Sequence, residues 1–311
     1  MPDLFTFGEA LALFLSTDSD NVVDAREYKR STAGAEGNVS VALSRLGLKS
    51  TFFTRLGNDE LGSAILNDFT AEGVDVSLVK RVPEFTSAMV RNPGTTRGVE
   101  ATYLRTGSAA STMVASDINI DEMRSARWIH STGITCAISK TGAETVAFAL
   151  EESRKLKIQR SFDLNIRRKL WSEVAAREVL EPLARDVDLL IGGEDEYAVV
   201  FGQNDAKKAL QLASQRGCRI AIMTKGSQPI RFIADDRYGE VIPPKVVAID
   251  PVGSGDAFTG GVIAGLLAGL SAHDAIVQGS RGGALVASCF GDWAGLPYGK
   301  LGIINSENGG N

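Results

Sequence analysis

Short apolar segments alternate with amphipathic segments along most of this 311-residue chain. The apolar runs predict β-strands at residues 51–54, 128–132, 161–163, 187–191 and 220–224. Periodic runs predict helices at residues 141–156, 175–184 and 205–216, and one more that Asn58 or Asp59 caps and Gly73 ends. Strands that alternate with helices indicate an α/β fold with a mainly parallel sheet covered on both faces. A ligand is then expected at the carboxyl ends of the strands.

Two stretches interrupt this alternation, at about residues 12–33 and 84–106. Both show strand-like alternation and turn signals, such as Asn92-Pro93-Gly94, without a following helix. We interpret them as a small β lid over the strand ends, which would exclude water from a reaction. The alternative is a pair of exposed hairpins with no gating role. Residues 1–311 are interpreted as a single domain, with a frayed tail at 305–311.

The composition is that of an ordinary globular protein, with 44% hydrophobic and 23% charged residues. A net charge of −5 argues against nucleic acid or a membrane as a partner, because both need a basic surface. Three scattered cysteines and two histidines make a zinc site or a disulfide framework unexpected. The N-terminal residues do not resemble a signal peptide, and no apolar run approaches the ~20 residues that span a bilayer. We therefore expect a cytoplasmic protein.

The most informative segment is Asp250-Pro251-Val252-Gly253-Ser254-Gly255-Asp256, which joins a predicted strand to a helix that begins at or near Asp256. Two glycines allow successive backbone N–H groups to converge on an anion at the helix N-terminus. A carboxylate beside that anion could accept a proton from an attacking hydroxyl. Asp256 is therefore the candidate general base.

Other interpretations of this segment fit less well. A dinucleotide-binding fingerprint would need glycine where Phe258 stands. A Walker A loop is not found, since the nearest segment, residues 134–141, lacks both required glycines. A glycine-rich turn before a closely packed helix is the remaining structural alternative.

The order of several motifs resembles the ribokinase (PfkB) family of carbohydrate kinases. Asp250 and Gly253-Ser254-Gly255-Asp256 are similar to the C-terminal signature of the family, and Gly34-Ala35-Glu36-Gly37-Asn38 is similar to its N-terminal substrate motif. The segment Gly57-Asn58-Asp59 continues a resemblance that extends over almost the whole chain. It implies a ribokinase-like three-layer sandwich with a small β lid, and the ATP-dependent phosphorylation of a sugar hydroxyl.

Within that family, several segments resemble 2-keto-3-deoxygluconate kinases. Residues 103–111 are similar to the stretch in which a tyrosine and an arginine, here Tyr103 and Arg105, hold the sugar acid. Residues 162–171 are similar to the Asp-x-Asn-x-Arg motif of these kinases, and residues 291–297 to their C-terminal end. A solvated Arg105 and a Tyr103 that only packs within the lid are the structural alternatives.

Arginine can grip a carboxylate through two hydrogen bonds, and Arg105 and Arg167 are the best candidates for that contact. Asn38 and Asn165 each offer a donor and an acceptor to sugar hydroxyls. Two arginines favour an acidic substrate over a neutral one.

The resemblance implies in-line transfer from ATP with Mg²⁺, and a monovalent cation such as K⁺ near Asp250 is an option. The catalytic residues that it implies are Asp256, Gly253, Ser254 and Gly255. Substrate binding is assigned to Gly34, Gly37, Asn38, Tyr103, Arg105, Asn165, Arg167 and Asp256. Nucleotide binding is assigned to Asn165, Arg167, Thr224, Lys225, Gly226, Val252, Gly253, Gly255 and Ser280. Glu196 is expected to act on Mg²⁺ indirectly.

The expected reaction converts 2-keto-3-deoxygluconate to its 6-phosphate. Another sugar kinase of the same family, such as a fructokinase or a ribokinase, is the alternative, and a non-catalytic protein that binds sugar or nucleotide is a further one. The partner is a small molecule, and a homo-oligomer through the lid is an option. The chain departs from the family pattern at Met89 (often a lid tyrosine), Gly193 (often asparagine) and Pro229 (often glycine, so that one backbone donor is lost).

Overall fold

The computed structural model describes residues 1–94 and 98–304. Residues 95–97, inside the second predicted lid stretch, and the predicted frayed tail at 305–311 lie outside the described residues.

The described residues form sixteen strands: β1 (Leu4–Phe7), β2 (Leu11–Ser16), β3 (Tyr28–Ala33), β4 (Ser50–Phe53), β5 (Arg55–Gly57), β6 (Lys80–Val82), β7 (Ala88–Arg91), β8 (Ala101–Leu104), β9 (Trp128–Thr132), β10 (Gln159–Asp163), β11 (Leu189–Gly193), β12 (Ile220–Thr224), β13 (Ile230–Ala234), β14 (Arg237–Val241), β15 (Gly299–Lys300) and β16 (Ile303–Ile304). The same residues form ten α-helices: α1 (Ala35–Arg45), α2 (Glu60–Ala71), α3 (Ile120–Ser125), α4 (Gly133–Ile138), α5 (Lys140–Lys155), α6 (Glu173–Leu183), α7 (Glu194–Phe201), α8 (Ala206–Gln215), α9 (Ser254–Leu267) and α10 (Ala272–Ala287).

The main sheet has eight strands in the order β14-β13-β12-β11-β10-β9-β1-β4. Every pairing from β12 to β4 is parallel, and β13 and β14 add an antiparallel hairpin at one edge. The five strands and the helices predicted from the apolar pattern all occur, with boundaries that differ by a few residues at most. The predicted α/β architecture with a mainly parallel sheet is therefore confirmed.

Helices cover both faces of this sheet because alternate residues of each strand point to opposite sides. Leu4 and Leu189 pack with α1, α9 and α10 in one core cluster, whereas their chain neighbours Phe5 and Leu190 pack with α5 to α8 in another. Continuous apolar strands, rather than alternating ones, are what a sheet buried on both faces requires.

A second, four-stranded sheet has the order β3-β2-β7-β8, and its strands come from the two stretches that interrupt the sequence pattern. Its central pair, β2 and β7, is parallel, and each of them pairs antiparallel with an outer strand. We call this sheet the lid. Among the described residues, no helix is both long and apolar enough to cross a membrane.

Local signals fix where the helices begin and end. Asp59, one of the two predicted caps, accepts a hydrogen bond from the Gly62 backbone N–H at 2.8 Å, and Gly73 follows α2 with a φ of +75°. Helix α9 begins at Ser254, two residues before Asp256. Asp256 therefore lies in the first turn of the helix, beside the N–H groups that have no helical acceptor.

Candidate active site

A cavity of about 480 Å³ lies at the carboxyl ends of the parallel strands, between the main sheet and the lid. A second cleft of about 710 Å³ adjoins it, and the two share Gly193, Asp195 and Thr224. Together they form a groove that lid residues border at one end and that extends past the ends of β11 and β12 at the other. Ligands of α/β sheets bind at this edge.

The turn before α9 supplies the floor of the cavity. Gly253 caps the helix with a φ of +82°, a conformation that favours glycine, and the first helical bond runs from Ala257 N–H to the Gly253 carbonyl. Val252 and Ser254 donate their N–H groups to Asp250 and to the Pro251 carbonyl, so among the described residues the N–H groups of Gly253 and Gly255 are left for an anion. A Cβ at Gly255 would meet no atom within 4 Å, so that position is open to a ligand.

Asp256 is held in place by α1. Its Oδ2 accepts a hydrogen bond of 2.7 Å from Asn38 Nδ2, and Asn38 Oδ1 in turn accepts one from the Trp293 indole. Burial raises the pKa of Asp256 to about 7, and the Asp292 charge acts in the same direction, against the bond from Asn38 and the charge of Arg167. A carboxyl that titrates near neutrality suits a general base.

Two more acids, Asp163 and Glu196, lie on the cavity wall. Burial and the charges of Glu196 and Asp256 hold the pKa of Asp163 well above its usual range. Burial also raises the pKa of Glu196, although both of its oxygens accept backbone N–H groups, from Ile166 at 2.6 Å and from Gly193 at 2.7 Å. A cation near these acids would therefore be stabilised.

An ion pair between Arg105 and Glu9 lies at the lid end of the cavity. Arg105 Nη2 lies 2.8 Å from Glu9 Oε2, and its guanidinium stacks over the Tyr103 ring at 4.2 Å from the centroid. Both charged side chains are nearly buried, so Arg105 is not a solvated strand residue. Met89 pairs with Tyr103 across the lid and lines the same wall. The guanidinium of Arg167, in contrast, has no hydrogen bond or ion pair within the part of the chain that the structure describes.

Most of the predicted site residues are brought together here. Those that line the first cavity are Gly34, Asn38, Tyr103, Arg105, Asn165, Arg167, Glu196, Thr224, Val252, Gly253, Gly255 and Asp256. Lys225 and Gly226 line the adjoining cleft, where Lys225 Nζ is 2.9 Å from Glu194.

Four predicted residues lie outside both cavities. Gly37 packs within α1, where an added Cβ would come within 2.6 Å of the Phe69 ring. The Ser254 hydroxyl donates to the Pro251 carbonyl, and the Ser280 hydroxyl donates to the Val277 carbonyl. Asp250 is fully buried, and its carboxylate is bonded to the guanidinium of Arg91.

Sequence reasoning missed the roles of Glu9, Arg91 and Asp292. Glu9 could have been found, because it follows β1 directly and the carboxyl end of a parallel strand is where ligand-facing groups collect. Arg91 and Asp292 gave no such signal, because their contacts join segments that are distant in sequence.

Comparison with known proteins agrees with this geometry. Residues 1–298 match the family model described as pfkB family carbohydrate kinase. The chain belongs to the pfkB family. It is 31% identical to a 2-dehydro-3-deoxygluconokinase of Bacillus subtilis over 95% of this chain and 92% of that protein. It is 30% identical to a 2-dehydro-3-deoxygalactonokinase of Haloferax volcanii over 94% of this chain and 93% of that protein.

The crystal structure of 2-dehydro-3-deoxygluconokinase from Thermotoga maritima has the same fold, with a TM-score of 0.91, 24% identity and full coverage of both chains. The architecture described above is thus ribokinase-like. As a pfkB family member this protein is an ATP-dependent sugar kinase, and the groove between sheet and lid is its candidate active site.

Proposed function

We propose that this kinase transfers the γ-phosphoryl group of ATP to the 6-hydroxyl of 2-keto-3-deoxygluconate, also named 2-dehydro-3-deoxygluconate, with Asp256 as the general base. The observation that supports this most is the position of Asp256, in the first turn of α9 within a cavity that also contains Arg105 and Arg167. The similarity to named 2-dehydro-3-deoxygluconokinases adds support for a sugar acid as substrate.

In the proposed reaction, Asp256 accepts the proton of the substrate hydroxyl while that oxygen attacks the γ-phosphorus. The new O–P bond forms as the bond between phosphorus and the departing ADP oxygen breaks. Asn38 keeps Oδ2 of Asp256 in place, so little reorganisation is needed when the proton moves. The N–H groups of Gly253 and Gly255, which have no acceptor among the described residues, stabilise the charge on the transferring group.

The adjoining cleft is the proposed nucleotide end, with Thr224, Lys225 and Gly226 on its wall. Asp163 and Glu196 fit Mg²⁺, because burial and mutual repulsion disfavour their charges and hard cations prefer carboxylate oxygens. Both Glu196 oxygens already accept N–H groups, so we expect Glu196 to hold Mg²⁺ through water. When bound, Mg²⁺ neutralises charge on the β- and γ-phosphates.

Arg167 is the proposed clamp for the substrate acid or for the phosphates. Among the described residues its guanidinium has no ion pair, and it lies in the cavity close enough to lower the pKa of Asp256 and of Asp163. Asn165, with a φ of +35°, presents its amide from a left-handed conformation that asparagine tolerates better than most residues. Arg105 and Tyr103 would contact the sugar from the lid.

One observation favours a second candidate, a kinase for a neutral sugar such as fructose. Glu9 neutralises Arg105, so the lid end of the cavity offers less positive charge than two unpaired arginines would. Met89 also removes the hydroxyl of a second lid tyrosine and makes that wall apolar.

Phosphorylation assays separate the two candidates. Release of ADP would be measured with 2-keto-3-deoxygluconate, its galacto epimer and fructose, with Asp256→Asn protein as the control for contaminating kinases. The sugar-acid proposal expects a kcat/KM for the acids at least ~10²-fold above that for fructose, because charge-assisted hydrogen bonds from Arg167 to a carboxylate contribute about 1.5–3 kcal/mol each, and fructose cannot form them. Equal values for acid and ketohexose would favour the fructokinase alternative, and no turnover with any of the three sugars would contradict both candidates and indicate a different sugar as substrate.

We also propose that two copies associate through the lid, where the apolar side chains of Phe85 and Leu104 are exposed. Light scattering would measure the molar mass of the wild type, expected to be a dimer, and of Leu104→Glu, expected to be a monomer. A wild type that is monomeric at micromolar concentration contradicts the proposal. A cytoplasmic location stays a prediction from the sequence.

A further inference from the structure

The last residue of lid strand β7 is a buried arginine. The Arg91 side chain is 0% exposed and its guanidinium reaches across to the turn before α9. Its Nη1 and Nη2 lie 3.1 and 2.7 Å from the two oxygens of Asp250, and Nη2 also lies 2.9 Å from Asp292. A charge this far from water persists only where it is paired and hydrogen-bonded.

Asp250 has no acceptor site to spare. Besides the two arginine bonds, its Oδ1 accepts the Val252 N–H at 3.2 Å and its Oδ2 accepts the Gly291 N–H at 2.9 Å. Four donors fill the four lone-pair positions of a carboxylate. A monovalent cation could use this carboxylate only by displacing Arg91, which would leave a buried guanidinium unpaired.

The pairing fixes both sides of the anion-binding turn. Asp250 begins the turn, and the Asp292 backbone packs against Gly253, where an added Cβ would lie 2.8 Å from the Asp292 carbonyl oxygen. Asp292 also lies 3.5 Å from Asn38, the residue that holds Asp256. The Arg91 guanidinium therefore contacts the turn at residues 250–256 directly, through Asp250. It is connected to the proposed base through Asp292 and Asn38.

The residues near Asp250 therefore do not fit the monovalent cation that the family resemblance suggested at this position. We propose that Arg91 is a positioning residue that acts as a built-in cation for the turn at residues 250–256, so that this kinase needs no monovalent cation. The inference rests on the sugar-kinase activity and on nucleotide binding at this turn, and it does not depend on which sugar is phosphorylated.

The first test uses the wild type alone. Binding of MgATP by calorimetry, and kcat/KM with the best sugar, would be compared in KCl, NaCl and N-methyl-D-glucamine chloride at matched ionic strength. We expect all values to agree within about twofold, because general screening of charges is the same in the three salts at matched ionic strength. Activation or tighter binding by K⁺ of about tenfold or more overturns the proposal. The binding measurement answers the question even if the proposed sugar is wrong.

The second test replaces the charge. Arg91→Met should lower nucleotide affinity and kcat by about 10²-fold, because Asp250 and Asp292 then lie buried without their partner. Arg91→Lys should recover part of the loss, and millimolar guanidinium or K⁺ should restore Arg91→Met further. Recovery of affinity or kcat by an added cation would show that the lost charge matters, because added cations cannot restore lost side-chain packing.

A matched control is Arg30→Met. Arg30 also belongs to the lid and makes a two-bond pair, with Asp68, but it is partly exposed and distant from the turn. We expect no cation dependence from this change. If a folded Arg91→Met protein keeps wild-type affinity, or regains nothing from either cation or from Arg91→Lys, Arg91 only fills space and the proposal is wrong.

Discussion

At the scale of single residues, the surroundings of Asp256 are consistent with the role of general base that we propose for it. Its carboxylate shares the cavity with Arg167 and accepts a hydrogen bond from Asn38. Asp256→Asn keeps the size and the helix position but cannot accept a proton. We expect kcat to fall ~10²–10⁴-fold while ATP and sugar still bind by calorimetry. Asp205→Asn, at the N-cap of α8, is the matched control and should be fully active.

The pH dependence offers an independent check on the same residue. Since the pKa of Asp256 is raised to about 7, kcat/KM should rise with pH through that value as the base loses its proton. The Asn38 bond lowers this pKa, so Asn38→Ala should move the rising limb to higher pH. A wild-type profile that is flat between pH 5.5 and 8.5 would remove Asp256 from the role.

The sequence indicated Asp256 as the candidate base because the carboxylate, the glycines and the helix start lie within a few positions of one another, and that role stays a prediction. The sequence did not predict the hydrogen bonds of Asn38, which was expected to bind sugar hydroxyls. Its amide is instead bonded to Asp256 and Trp293. Nor did the sequence predict that Arg105 would pair with Glu9. These contacts are set by how distant segments pack, and no local spacing encodes that.

At the scale of elements, the turn before α9 depends on one left-handed residue. Gly253→Ala places a Cβ in a strained backbone conformation and 2.8 Å from the Asp292 carbonyl, which should displace the turn. We expect a loss of about 1 kcal/mol in stability and a far larger loss of MgATP affinity. Gly269→Ala is the control, since its φ is +86° and an added Cβ meets no atom within 4 Å. It should cost similar stability and leave nucleotide binding intact.

The lid is the element whose motion can be tested. A substrate that touches Tyr103 and Arg105 on the lid and Asp256 below it should favour the closed state, because a ligand shifts an equilibrium only through differential contacts. We expect substrate to slow hydrogen exchange at residues 84–94 and 98–106. The Tyr103→Ala, Arg105→Ala double variant should lose this effect and keep nucleotide-induced protection at residues 253–256. If saturating substrate leaves hydrogen exchange in these residues unchanged, the lid sheet has no gating role.

The elements were largely predictable because the main sheet is buried on both faces. Its strands are short apolar runs and its helices are periodic, so the pattern alone located them. The lid was visible only as an interruption, and its strand order β3-β2-β7-β8 could not be read from the pattern. Parallel pairing of β2 with β7 joins residues 76 positions apart, such as Ala12 and Ala88, and nothing local encodes that choice.

At the scale of the whole molecule, buried acids should make stability depend on pH. Glu36 is fully buried in α1, where burial raises its pKa to about 7. The unfolded chain loses this proton near the ordinary pKa of glutamate, and the folded protein keeps it until about pH 7. Stability therefore falls as pH rises from about 4.5 to 7. Glu36→Gln should remove up to about 3 kcal/mol of that fall, measured by denaturant unfolding at pH 5 and pH 8.

The control is Glu178→Gln at an exposed position of α6, which should leave the slope of stability against pH unchanged. A Glu36→Gln protein with the wild-type slope would mean that Glu36 stays charged inside the fold. The two threonine hydroxyls that donate to its Oε1, from Thr132 and Thr135, would then be enough to stabilise the carboxylate.

The pairing of Arg91 with Asp250 and Asp292 also bears on how the chain matures during synthesis. These contacts span 159 and 201 positions. A nascent chain that has emerged as far as Val241 contains every strand of the main sheet and of the lid, yet neither acid that receives the arginine. Domains begin to assemble from the N-terminus as they leave the ribosome. We therefore expect the turn at residues 250–256 to become ordered only after both acids have been synthesised, and a shorter nascent chain to bind no nucleotide at this turn.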